Sequence, residues 1–325
     1  MYSDEELDTA VAAGVMSTDA AAAFRAHVAA RRHTAMRDEE NFRLITGFND
    51  VFVVIAVGLL LAALGGLGAA FAPGAGPLAI ALAAWGLAEY FTRLRRLALP
   101  AIVLLLAFVG GVFGAGLAVL DGNDAAPVVA SALAALAAWL HWRRFRVPIT
   151  VAAGTAAGVA LAVSMIQWLL PGGADWLALL LFCAGVVVFA SALRWDASDR
   201  RRQTRRSDVA FWLHLLAAPL LVHPLFANVS EFGHAPGIAQ MALVLAAYVA
   251  IGVVSLAINR RALMVSALGY VLYAFTALLK DSGVVDLGFA VTALVIGSAL
   301  LLLSAFWHPC RDRVLRWLPS AQRLG

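Results

Sequence analysis

The sequence predicts an all-α, polytopic transmembrane bundle of about ten helices with both termini in the cytoplasm. Two features of the composition support this class: hydrophobic residues make up 62% of the 325 residues, and charged residues make up 14%. A soluble domain has about 45–50% apolar and about 25% charged residues. The third observation is that the arginines cluster in alternate loops between long apolar runs.

Residues 1–48 are predicted to form a cytosolic helical hairpin followed by an amphipathic helix that leads into the membrane. Leu7 and Val11 share one face of the first helix, Gly14 ends that helix, and Ser17 or Thr18 begins the second. Two helices of this length bury little apolar surface. We therefore expect the hairpin to be stable only when it is bound to a protein partner or to a second copy of the chain.

Residues 49–308 are predicted to be the transmembrane bundle. Crossing a hydrocarbon core of about 30 Å takes about 20 helical residues, and most of the apolar runs meet this length, although the second is short. The predicted spans are Asp50–Phe71, Pro77–Thr92, Leu97–Leu120, Ala125–Trp142, Val147–Leu170, Asp175–Leu193, Val209–Asn228, Gly237–Asn259, Ala262–Leu279 and Val284–Trp307.

Residues 309–325 are predicted to be an amphipathic cytosolic tail. Val314, Trp317 and Leu318 fall on one face of a short helix, with arginines around them. Tryptophan is enriched at the depth of the lipid headgroups. We therefore expect this helix to lie at the membrane surface.

The segment from Arg194 to Asp208 carries six arginines and orients the whole chain. Short positively charged segments resist translocation, so this loop is predicted to stay in the cytoplasm. With ten spans, every arginine then falls on the cytoplasmic side, and Lys280 is the one basic residue on the other. The preference for arginine over lysine, with many alanines and glycines, is typical of a high-GC bacterial genome. The predicted location is therefore the bacterial inner membrane.

The arginines of this segment are also predicted to contact anionic lipid headgroups, because clustered basic residues next to membrane helices attract them. The residues concerned are Arg200, Arg201, Arg202, Arg205 and Arg206.

A pattern repeats in two of the predicted cytoplasmic turns. Arg95-Arg96-x-x-x-Pro100 recurs as Arg143-Arg144-x-x-x-Pro148. Either positively charged turns simply look alike, or a helical hairpin has been duplicated.

Glu89 is the one carboxylate within an apolar run, and it lies four residues before Arg93. It predicts either an i,i+4 ion pair at the membrane surface or a carboxylate that couples a proton or cation inside a cavity.

The seventh span contains His214 and His223 together with Pro219 and Pro224. Prolines inside a helix free backbone carbonyls and kink it. The two histidines are therefore candidates for lining a cavity; the alternative is that His214 bonds a neighbouring helix and the prolines only shape the packing. Haem ligation would need two histidines at matched depth on facing helices, and His141 and His308 sit at the membrane boundary, so we predict no cofactor.

Glycine spacing predicts where helices approach closely. Gly110-x-x-x-Gly114 and Gly154-x-x-x-Gly158 allow close backbone contact, as do the glycines of the first span: Gly58, Gly65, Gly66 and Gly68.

The sequence contains no phosphate-binding loop, dinucleotide fingerprint, metal-ligand spacing or nucleophile triad. We therefore predict that the chain is not an enzyme and binds no metal. The net charge of +4 lies almost entirely in loops beside the membrane, so it does not indicate a nucleic-acid partner.

The N-terminal hairpin, with its Gly14-Val15-Met16-Ser17 turn and the segment Asn41-Phe42-Arg43-Leu44, resembles uncharacterised bacterial multi-pass membrane protein families of unknown function. This resemblance implies no particular activity. The ten-span topology with both termini inside is also similar to that of the drug/metabolite transporter superfamily.

Two hypotheses of function follow. The first is a secondary transporter or permease for a small or lipid-like solute, in which Glu89, His214 and His223 line a cavity. The second is a non-transporting scaffold or sensor that acts through the N-terminal hairpin and the Arg194–Arg206 loop. The scarcity of charge inside the spans favours the second.

Overall fold

The structure is a computed structural model that describes residues 4–31, 48–170, 176–199, 204–230, 238–258, 297–298, 302 and 306–317. These residues are helical almost throughout, and no β-strand occurs among them. The helices are α1 (Asp4–Ala12), α2 (Thr18–Arg31), α3 (Phe48–Ala69), α4 (Ala75–Ala88), α5 (Ala98–Val119), α6 (Ala126–Phe145), α7 (Ile149–Leu169), α8 (Leu177–Ser198), α9 (Arg205–Ser230), α10 (Ile238–Ile258) and α11 (Trp307–Trp317).

Helices α3 to α10 correspond to the first eight predicted spans, with ends that differ by a few residues. The ninth span and nearly all of the tenth lie outside the described residues. Within the described part of the chain, four segments are long and apolar enough to cross a membrane: Asn49–Ala69, Ala98–Val119, Ile149–Leu169 and Leu177–Ser198.

The short second span is longer than the sequence indicated. α4 contains 14 residues and continues directly into a π-helical turn of six residues, Glu89–Leu94. Together they form one uninterrupted helical segment that begins just after Gly74, which has a φ of +80°. Glycine adopts this left-handed conformation without steric cost, so it allows the tight turn that starts α4.

The arginine loop is shorter than the predicted Arg194–Asp208 segment. α8 continues to Ser198, and α9 already begins at Arg205. Asp199 holds the connection closed, because its Oδ2 accepts hydrogen bonds from the backbone N (2.9 Å) and Oγ1 (2.6 Å) of Thr204. Arg205 and Arg206 therefore stand in the first turn of a helix, with exposed side chains. Arg200, Arg201 and Arg202 lie outside the described residues.

The N-terminal helices form a compact unit of their own. Leu7 of α1 and Ala21 of α2 are buried at 6% and 1% exposure, whereas Phe24 is 40% exposed. Gly14 has a φ of +71° between the helices, and Ser17 Oγ accepts a hydrogen bond from the backbone N of Ala20. Ser17, one of the two residues that the sequence offered as the start, therefore caps the second helix.

Helices α4 to α9 pack as consecutive hairpins. α4 packs on α5, α6 on α7, and α8 on α9, and α5 also packs on α6. Ala138 lies in a core formed by α5, α6 and α7, and Leu213 lies in a second core formed by α7, α8 and α9. Many large apolar side chains remain exposed around these cores, for example Phe52, Leu82 and Leu179. An apolar outer surface of this kind is expected of helices that contact lipid, so it agrees with a membrane location.

Glycines permit the closest helix approaches, but they are not all the predicted ones. A Cβ atom at Gly111 would lie 2.6 Å from the carbonyl O of Pro77 in α4, and one at Gly68 would lie 2.7 Å from Cα of Gly76. By contrast, a Cβ atom at Gly110 or Gly158 would meet nothing within 4 Å. The prediction for α5 was therefore wrong for Gly110: the closest approach lies at Gly111, which is outside the Gly-x-x-x-Gly pattern, and a Cβ atom at Gly114 would make only a 3.4 Å contact with Cβ of Pro77.

Within the described part of the chain, α11 packs on α10. Cys310 and Val314 of α11 pack against Leu256 and Tyr248 of α10. The side chains of Arg313 and Arg316 are exposed. An apolar and a basic face on one short helix is the arrangement expected of a helix at the membrane surface.

Candidate functional site

Glu89 begins the π-helical turn and forms ion pairs with two arginines. Its Oε1 and Oε2 accept hydrogen bonds of 2.6 and 2.9 Å from Nε and Nη2 of Arg144, at the end of α6. Oε2 also lies 3.3 Å from Nη1 of Arg93. The predicted i,i+4 pair therefore exists, but the shorter and bidentate contact is with a residue 55 positions away. Paired guanidinium–carboxylate hydrogen bonds of this kind fix orientation as well as distance.

This contact joins the α4–α5 and α6–α7 turns. The side chain of Glu89 is about a third exposed (32%), and that of Arg144 is 41% exposed. Hydrogen bonding to Glu89 raises the pKa of Arg144 above its usual value, so Arg144 remains charged. Water partly screens an ion pair at this exposure. The Glu89–Arg144 pair therefore positions the two turns more than it stabilises the fold.

The π-helical turn determines a second contact in the same place. The backbone N of Arg95 donates to the carbonyl O of Tyr90, five residues earlier, as in a π-helix. Nε and Nη2 of Arg95 also donate to the hydroxyl of Tyr90, at 3.2 and 3.1 Å. In an α-helix, with 3.6 residues per turn, two residues five apart would not share a face.

The two repeated turns differ in detail. Arg96 and Arg146 have φ values of +54° and +55°, the left-handed region that favours glycine. Arg96 precedes its proline by four residues, but Arg146 precedes Pro148 by two. The equivalent backbone conformation therefore falls at different places in the repeated pattern, which favours two similar turns over a duplicated hairpin.

Replacing Arg144 by glutamine should lower the melting temperature of the detergent-solubilised protein by about two degrees, a small effect because the pair is exposed. Arg93→Gln is the matched control and should change it less, because the Arg93 contact is longer and single. The two melting curves decide the matter: equal shifts would contradict the assignment of the main contact to Arg144.

His214 is fully buried in α9 and pairs with an acidic residue of α8. Its Nε2 lies 2.9 Å from Oδ2 of Asp196, whose side chain is 18% exposed. The ring of Phe189 packs edge-on against the imidazole at 5.4 Å. This is the inter-helix bond that the second interpretation of His214 predicted. Asp196 belongs to the predicted Arg194–Asp208 loop, so the sequence did not indicate it as the partner of His214.

His223 has an exposed side chain on the same helix. Pro219 and Pro224 lie inside α9, which continues through both of them from Arg205 to Ser230. Glu89 is held by the arginines of two turns, His214 is buried against α8, and His223 is exposed. The contacts of the described residues thus do not bring the three candidates into one site.

His141 is a buried polar residue that the sequence analysis treated as ordinary. It is 0% exposed, its Nδ1 lies 3.2 Å from Oγ1 of Thr150, and aromatic rings of Trp85, Phe108 and Phe145 surround it. Within the part of the chain that the structure describes, its Nε2 has no hydrogen-bond partner. The contact between His141 and Thr150 joins α6 to α7.

The described residues include no group of three or more histidine, cysteine or acidic side chains that could hold a metal ion. The side chain of His308 lies outside the described residues. Comparison with protein-family models, with curated proteins and with solved structures finds no match to this chain. The resemblance to uncharacterised multi-pass families stays a prediction.

Proposed function

We propose that the chain is a non-transporting scaffold or sensor of the bacterial inner membrane, with ten spans and both termini in the cytoplasm. It acts through two cytoplasmic elements, the N-terminal hairpin and the connection between α8 and α9. The hairpin binds a protein partner or a second copy of the chain, and the arginines of the connection contact anionic lipid headgroups.

The observation that carries this proposal is how the α8–α9 connection is held. Asp199 closes it through Thr204, and the buried Asp196–His214 pair fixes the helix ends beneath it. Two residues that the sequence offered for solute coupling, Glu89 and His214, thus contact side chains of other helices. Glu89 and His214 have different partners. This arrangement favours a scaffold that holds cytoplasmic elements over a transporter in which both residues line one cavity.

Removal of residues 1–33 tests the proposal. Because the hairpin is a compact unit by itself, we expect the truncated chain to insert and accumulate at the wild-type level but to restore none of the phenotype of a deletion strain. Membrane fractionation and complementation measure the two properties. Full complementation by the truncated chain would exclude a function through the hairpin.

Transport is the second candidate, and α9 is the observation that favours it. Prolines within a membrane helix are tolerated where neighbouring groups satisfy the freed carbonyls, and such helices often line solute pathways. Glu89→Gln and His223→Ala should then each abolish complementation while leaving insertion unchanged. The transport hypothesis fails if both variants complement fully.

A further inference from the structure

The two turns joined by Glu89 carry a dense positive charge. Between Glu89 and Leu97, and between Trp142 and Pro148, the sequence contains six arginines and one acidic residue. All six arginine side chains are exposed. We call this set the arginine patch: Arg93, Arg95, Arg96, Arg143, Arg144 and Arg146. Since Glu89 engages Arg144 bidentately and Arg93 weakly, most of the positive charge of the patch is uncompensated by acidic side chains of these turns.

Two guanidinium groups of the patch are held in place by aromatic rings. Arg95 lies 5.6 Å from the centre of the Tyr90 ring, and Arg143 lies 5.1 Å from the centre of the Trp139 ring. Both rings are about half exposed, at 45% and 51%. Exposed tyrosine and tryptophan are typical of the headgroup level of a bilayer. A stacked guanidinium also loses less freedom when it binds an anion.

Exposed apolar side chains lie directly beside the patch. Leu94 is 70% exposed in the π-helical turn, and Leu136 and Leu140 are 51% and 43% exposed on α6. A ligand in this place therefore meets fixed guanidinium groups at one end and an apolar helix surface along its length. This combination does not suit nucleic acid or a free anion, but it does suit a lipid with an anionic head and acyl chains.

We propose that the arginine patch is a binding site for the headgroup of an anionic phospholipid. The phosphate oxygens accept hydrogen bonds from Arg95 and Arg143, and the acyl chains lie along α6. Glu89 competes with the phosphate for Arg144, because both are acceptors for its guanidinium group. This inference does not rest on the proposed scaffold function, because it uses neither the hairpin nor the α8–α9 connection.

The test is a titration of the purified full-length chain in neutral detergent with phosphatidylglycerol, measured by native mass spectrometry of lipid adducts. The Arg95→Gln/Arg143→Gln variant should bind about thirtyfold more weakly than wild type, roughly fivefold for each lost charge. Phosphatidylcholine and inorganic phosphate should bind neither protein measurably. Unchanged binding by the variant, or equal binding of phosphatidylcholine or of inorganic phosphate, would overturn the proposal.

Two further variants separate a site from general electrostatic attraction. Arg95→Lys/Arg143→Lys keeps the charge but loses the planar guanidinium, which stacks on an aromatic ring and can donate two parallel hydrogen bonds. This variant should therefore bind more tightly than the glutamine double variant but more weakly than wild type. Wild-type affinity in this variant would show that charge alone is sufficient and would overturn the site. Glu89→Gln frees Arg144 and should bind at least as tightly as wild type; a loss as large as that of the glutamine double variant would equally contradict the assigned role.

Discussion

Alanine substitution at two adjacent glycines of α5 should change stability in opposite directions. A Cβ atom at Gly111 would lie 2.6 Å from Pro77 O and 3.0 Å from Cβ and N of Ala81. Two of these atoms belong to the backbone of α4, so the helices must separate, at a cost of about 1–3 kcal/mol. The Gly111→Ala variant should therefore unfold at a lower sodium dodecyl sulfate fraction than wild type.

Gly110→Ala is the matched control, because a Cβ atom there meets nothing within 4 Å. Alanine leaves the backbone of the unfolded chain less conformational freedom than glycine does. The Gly110→Ala variant should therefore be as stable as wild type or up to about 1 kcal/mol more stable. Equal stability of the two variants would show that α4 and α5 do not cross as closely as described.

Loss of the buried pair between α8 and α9 is the second large effect. His214→Ala should lower the free energy of unfolding by about 3 kcal/mol, because it leaves a cavity and removes the partner of Asp196. Asp196→Ala should cost less, since this side chain is partly exposed. In a double-mutant cycle the two changes should show a coupling of about 0.6–1.7 kcal/mol, the average and maximum that such cycles give for polar contacts between membrane helices.

His223→Ala provides the comparison on the same helix. Its side chain is exposed, so the same substitution leaves no buried cavity and should lower the free energy of unfolding by about 1 kcal/mol or less. A coupling energy near zero between His214 and Asp196 would mean that their hydrogen bond does not stabilise the fold and that the two side chains only fill space between α8 and α9. Comparable losses at His214 and His223 would point instead to a general sensitivity of α9.

Helix positions could be predicted because they depend on local sequence. Apolar runs of about twenty residues and the turns between them locate α3 to α10 to within a few residues. Ser17 and Gly14 likewise mark the turn of the hairpin through capping and a left-handed backbone, both of which depend on single residue types.

Contacts between helices were harder to predict, because periodicity gives the face of a residue but not its neighbour. The i,i+4 spacing indicated Arg93 for Glu89, whereas the closer partner, Arg144, comes from another hairpin. Asp196 was placed in the loop because it stands among arginines, but the last turn of α8 extends to it. Gly110 and Gly111 differ by about 100° around the helix, and nothing in the spacing shows which of them meets α4.

The number of residues in the π-helical turn at Glu89–Leu94 determines which arginine lies next to the Tyr90 ring. A π-helical turn accommodates one more residue than an α-helical one, so a deletion here would let regular α-helix continue. Every later residue would then rotate around the axis relative to Tyr90. A homologue one residue shorter in this turn would therefore present a different guanidinium to the ring, even with the same arginines. In evolutionary terms, an insertion or deletion in this turn could change which arginine of the patch is presented, even when no arginine is replaced.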